Sequence, residues 1–125
     1  MKVSRQDFEY FKERVRYWLR YFQLGDWDVD ITNIEDTSGA HGGCWSEYRQ
    51  RQAIININTE FEPTGAKSWT EEVDHVAFHE ACELLLAELR YAGTNRHCTE
   101  EMLESAIHGV ISRLTNTILR LDMPE

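Results

Sequence analysis

Between Asp7 and Phe22 the apolar residues Phe8, Phe11, Val15, Trp18, Leu19 and Phe22 recur every three or four positions, with Glu9, Lys12, Arg16 and Arg20 between them. That period gathers the apolar side chains into one stripe, so the spacing predicts an amphipathic helix over 7–22. Ser4 stands where an N-cap belongs, and Gly25 is the expected left-handed terminator. The pattern then switches to period two. Trp27-Asp28-Val29-Asp30-Ile31 and Gln52-Ala53-Ile54-Ile55-Asn56-Ile57-Asn58 both alternate as half-buried strands do. Between them Ser38-Gly39-Ala40-His41-Gly42-Gly43-Cys44-Trp45 is glycine-rich and runs toward Glu47-Tyr48, which predicts a loop entering a further strand. Trp45 and Tyr48 read as sheet packing or as the flank of a cleft.

Pro63, Thr64 and Gly65 break the alternation, and Ser68 or Thr70 followed by Glu71-Glu72 makes a helix start whose acids suit the helix dipole. One long central helix is expected from there to Ala92-Gly93-Thr94-Asn95, with Val76, Ala77, Ala81, Leu84, Leu85 and Leu89 making it apolar around much of its circumference. A last helix opens at Thr99-Glu100-Glu101-Met102 and carries Leu103, Ile107, Val110, Ile111, Leu114, Ile118 and Leu121 at helical spacing. Helix, two to four strands, helix, helix is an α+β order. The 125 residues are expected to form a single domain over 1–125, with no repeat, linker or low-complexity tract.

Charge narrows the partners. The net charge is −9, from 13 Lys and Arg against 22 Asp and Glu, which disfavours nucleic acid as a ligand. The basic rows Arg14, Arg16, Arg20 and Arg49, Arg51 read as solvated faces. No apolar stretch approaches the roughly 20 residues of a membrane span, so a cytoplasmic protein is expected. Cys44, Cys82 and Cys98 have no metal-ligand or redox spacing and read as reduced thiols, with Cys82 in the core.

Candidate chemistry sits in the central helix. Val76-Ala77-Phe78-His79-Glu80-Ala81-Cys82-Glu83 puts His79 and Glu83 four residues apart on one face, the spacing at which two side chains chelate one ion. In the H-E-x-x-H motif two histidines bind zinc and the intervening Glu acts as general base on the metal-bound water. Here Glu83 occupies the second histidine's place. A carboxylate is an acceptable zinc ligand, and catalytic sites commonly combine two imidazoles with one carboxylate. The missing imidazole must then come from elsewhere, and His108 in the last helix is the first candidate, followed by Glu104. Glu101, His75 and His97 also compete; His75 ranks lowest, because three ligands stacked on one helix span about 12 Å. His41, beside Gly42-Gly43, reads as a solvated loop residue or as the lining of a substrate cleft.

Taken together, Trp27-x-Val29-x-Ile31, Ala53-x-Ile55-x-Ile57, His79-Glu80 in an apolar helix and a closing helix resemble small phage and bacterial zincin-like metallopeptidases across most of the chain. The resemblance implies a minimal zincin-like fold with a central metal-binding helix. It also implies one Zn²⁺, His79 as ligand, Glu80 as catalytic base, and hydrolysis of a peptide or protein substrate, in the host cytoplasm if the chain is phage-encoded. Those relatives carry H-E-x-x-H and usually an acidic third ligand, so Glu83 and His108 look exchanged. The rival expectation is a zincin-shaped binding module without catalysis that engages a host protein through its acidic surface. A metal-dependent ribonuclease is disfavoured by the charge.

Overall fold

The computed structural model describes residues 1–65 and 68–119; Leu121, assigned above to the last helix, lies outside them. Helix α1 spans Arg5–Tyr21, and its N-terminus is closed by a reciprocal pair: Ser4 Oγ accepts from the Asp7 amide at 3.0 Å, and Asp7 Oδ2 accepts from the Ser4 amide at 2.9 Å. Phe11 and Val15 are fully buried on its inner face. The left-handed turn comes two residues earlier than Gly25 implied. Gln23, not Gly25, takes the left-handed conformation (φ 58°), the Gln23 amide donates to Arg20 O, and the Leu24 amide donates to Leu19 O at 2.8 Å. These two bonds close the helix end although a non-glycine residue carries the turn. The reversal drops Leu24 into the core, where it is 2% exposed.

Three strands follow: β1 (Asp28–Thr32), β2 (Gly42–Glu47) and β3 (Gln52–Ile57). The sheet order is β1-β3-β2, with β1 parallel and β2 antiparallel to the central β3. Register rows run Asp30–Ile54–Trp45 and Ile31–Ile55–Cys44 across the sheet. Alternation then assigns Ala53, Ile55 and Ile57 to the face packed on the helices, and Ile54 to the opposite face. Ile55 and Ile57 are fully buried, while Ile54 is 44% exposed.

The segment between β1 and β2 has no regular structure, and two asparagines of the β3 region hold it. Asn56 Oδ1 accepts from the Ile34 amide and from Thr32 Oγ1, each at 2.7 Å, and Asn56 Nδ2 donates to Ile34 O. Asn58 does the same further on, accepting from the Asp36 and Thr59 amides and donating to Asp36 O and Ala40 O. Both asparagines are buried. Replacing Asn58 by Ala strands backbone groups of residues 36–40 and is expected to cost about 2–3 kcal/mol. Urea unfolding together with faster proteolysis within 33–41 checks it.

Helix α2 (Trp69–Leu85) lies across the covered face of the sheet and against α1, capped by Ser68 Oγ accepting from the Glu71 amide. Asp74 ties it to α1, accepting from Arg14 Nε and Trp18 Nε1, both at 2.9 Å. The single central helix expected from periodicity is two. The chain breaks at Leu86 (φ −92°, ψ 4°), and α3 (Ala87–Thr94) follows. No glycine or proline marks the break. Its cause is tertiary, since α3 turns to bury Ala87 and Ala92 and to stack Tyr91 on Tyr48. Helix α4 (Glu100–Leu119) packs along α3 and reaches the end of α1, where Thr117 Oγ1 and Arg113 donate to the carbonyls of Tyr21 and Gln23. Among the described residues the result is an α+β fold of four α-helices and a three-stranded mixed sheet. No helix among the described residues is long and apolar enough to cross a membrane.

Candidate functional site

Between α2 and the start of β2 lies a cleft of about 280 Å³, whose walls include His41 and Gly42 on one side and Glu72, His75, His79 and Glu80 on the other. The helical side follows from periodicity: His75 and His79 are one turn apart and share a face. The strand side depends on the absence of a side chain at Gly42. A Cβ there would stand 2.6 Å from Asn56 O, 2.7 Å from Val76 Cγ1 and 3.3 Å from Glu80 Oε2. The backbone of β2 therefore lies directly against the Glu80 carboxyl. The rim is fixed by Glu72, which accepts from the Thr64 amide and hydroxyl and the Gly65 amide, and by His41, whose ring stacks on Phe61 at 4.6 Å.

Glu80 is 6% exposed, and no hydrogen bond reaches its carboxyl from the described residues. Burial, and after it the negative charge of Glu83, push it up to about 7. A carboxyl at that value exchanges a proton readily near neutrality, the property required of a general acid or base.

Glu83 is half-buried beside it. Its Oε1 lies 3.6 Å from His79 Nε2, and its Oε2 is held by Arg90. The i,i+4 spacing thus brings His79 and Glu83 together, while the clamp from Arg90 carries no signature in the sequence. His108 stands on α4, exposed, with Glu104 at 4.0 Å as its ionic neighbour. Among the described residues, no three His, Cys, Asp or Glu side chains are grouped so as to hold a metal ion. His75, ranked last from its position on the helix, lines the cleft with His79, and His41 lines the far wall. His97 remains exposed beside Arg96, away from the cleft walls.

Cys44 lies on the covered side of β2. Burial first, then the charges of Glu80 and Glu83, push its thiol up to about 12, with Arg90 opposing weakly. A thiol so placed stays protonated and is a poor nucleophile. Cys44 is therefore expected to resist a thiol reagent at pH 8 in the folded protein and to react once the chain is unfolded. Mass spectrometric mapping of the label over time checks this, and rapid labelling of Cys44 in the folded state would contradict it.

Comparison with models of protein families, with curated proteins and with solved structures finds no match to this chain.

Proposed function

We propose that this chain is a metal-assisted hydrolase of the zincin-like peptidase kind, acting on an extended peptide laid along β2. The observation that carries the reading is Glu80, a largely buried carboxyl near neutrality that opens onto a histidine-lined cleft. Ionising a carboxyl so placed costs stability, and carboxyls with raised values cluster at functional sites.

Two donors on one tetrahedral zinc, with bonds of about 2.1 Å, stand roughly 3.4 Å apart. The 3.6 Å between His79 Nε2 and Glu83 Oε1 suits that geometry, and Arg90 on the other carboxylate oxygen orients the ligand as an outer partner would. The third position falls to His108, as the sequence suggests, or to His75, which already lines the cleft. When bound, zinc would polarise the substrate carbonyl and acidify a water. The chain's own part is the proton: ionised Glu80 accepts it from the attacking water and returns it to the leaving amine. β2 is an edge strand, so an extended peptide can add to it by main-chain hydrogen bonds beside Glu80.

The test begins with elemental mass spectrometry of untagged protein, wild type beside His79→Ala, Glu83→Ala, His75→Ala and His108→Ala. Stoichiometric zinc lost with His79 and Glu83, and cleavage of a mixed peptide library that Glu80→Gln abolishes while keeping its zinc, is the expected result. No cleavage by zinc-loaded wild type would overturn the reading. It would leave the rival, a non-catalytic binding module.

A further inference from the structure

The helices cover one face of the sheet. On the other, the central row presents Trp45 and Ile54 in register, 54% and 44% exposed, with Asp30 completing the row on β1. Trp45 folds back over its own strand: a Cβ on Gly43 would stand 2.6 Å from the indole ring, so the ring lies flat on the sheet above Gly43. Ile34, 62% exposed, closes the upper end, its backbone held at N–H and C=O by Asn56. Trp45, Ile54 and Ile34 thus line an open trough of about 350 Å³, on the face opposite the Glu80 cleft. Trp45, which the sequence suggested as sheet packing, packs under no helix.

Carboxylates surround this trough. Asp28 and Glu47 flank Gln52 in the neighbouring register row, Asp30 lies within the central row, and Glu35 and Asp36 line the upper end. None is in ion-pair contact with a cation among the described residues. An exposed aromatic and two aliphatic side chains inside an unneutralised acidic ring are the anatomy of an interface: an apolar anchor site with a charged rim.

We infer that the uncovered sheet face is a docking surface for a cationic segment of another protein, seating an apolar side chain against Trp45, Ile54 and Ile34 while its Lys or Arg residues meet the carboxylates. Charge selects this occupant. A second copy of the chain, at net −9, would set one acidic ring against another.

The probe is a synthetic peptide of alternating Lys and Leu, with its Glu and Leu counterpart as control, titrated into the full chain and followed by nuclear magnetic resonance. The expected result is binding by the cationic peptide alone, with shifts centred on the Trp45 indole and Ile54 methyls, and affinity falling as salt rises. Trp45→Ser, at an exposed position, should weaken binding about 10-fold. Asp30→Lys with Glu35→Lys should do so too, whereas Glu13→Lys with Glu100→Lys, an equal charge change elsewhere, should leave affinity within about 2-fold. The inference is overturned by equal weakening in both charge pairs, by shifts centred on another face, by no binding at all, or by a concentration-dependent dimer that Trp45→Ser dissolves.

Discussion

Between pH 4.5 and pH 8 the wild-type chain should lose about 2–3 kcal/mol of stability relative to Glu80→Gln, and under the proposed hydrolase function it should gain activity as the same carboxyl ionises. The two trends share one cause. An ordinary glutamate releases its proton near 4.5, whereas Glu80 in the folded state holds it to about 7. Below 4.5 both states are protonated and the carboxyl contributes no pH dependence. Above it the unfolded chain ionises while the folded chain does not, so stability falls with rising pH until about 7 and then levels. The full interval corresponds to about 3 kcal/mol at 1.36 kcal/mol per pH unit, and solvent reaching the carboxyl through the cleft trims it. The variant lacks the titration, so its urea-unfolding free energy should stay flat by comparison across this range. Under the proposed function ionised Glu80 is the base, so activity should rise with pH and vanish in the variant. A difference between the two proteins that does not change with pH would show that Glu80 titrates as an ordinary carboxyl.

Gly42→Ala should be the most damaging single-methyl change. The added carbon meets a backbone carbonyl of β3 at 2.6 Å and a methyl of Val76 at 2.7 Å, from strand and helix at once. The carbonyl belongs to the central strand and does not yield as a flexible side-chain tip would. The substitution must push α2 away from β2 or break the pairing of Gly42 with Ile57, at a cost of about 3 kcal/mol. That corresponds to a drop in Tm on the order of 10 °C for a chain of this length. Gly93→Ala is the matched control: nothing lies within 4 Å of its added carbon, and inside α3 alanine is the better helix former, so stability should hold or rise by about 0.5 kcal/mol. Equal melting of the two variants would mean that β2 and α2 are not in close contact at Gly42.

What the sequence revealed, and what it concealed, divides along local and non-local lines. The apolar spacing from Phe8 to Phe22, the Ser4 cap and the alternation of β1 and β3 are properties of neighbouring residues, and periodicity finds them. The left-handed turn falls at Gln23 and not at Gly25, because glycine preference is local whereas burial of Leu24 sets the turn. The break at Leu86 has no local breaker, since it serves the packing of α3 on Tyr48. The site divides in the same way. His79, Glu80 and Glu83 were legible as one helical face. Gly42 is not, and His41 is legible only as one of two loop readings, because both reach the cleft on a segment positioned by Asn56 and Asn58 reaching back 18 to 22 residues. A regular sequence pattern carries no trace of such bonds. His75, ranked lowest as a ligand on helix length alone, lines the cleft with His79.

The strand order has a consequence for how the chain is made. Among the described residues both outer strands pair with β3 alone, the last of the three to leave the ribosome. Residues 28–47 therefore emerge with their strand edges unsatisfied, and the apolar side chains of α1 emerge before α2 exists to cover them. Ile57 is the point in translation after which the sheet can close, and β2, linked to β3 by a short turn, closes first. A nascent chain arrested before residue 52 should accordingly remain open to chaperones and proteases, while one released past α2 should resist them.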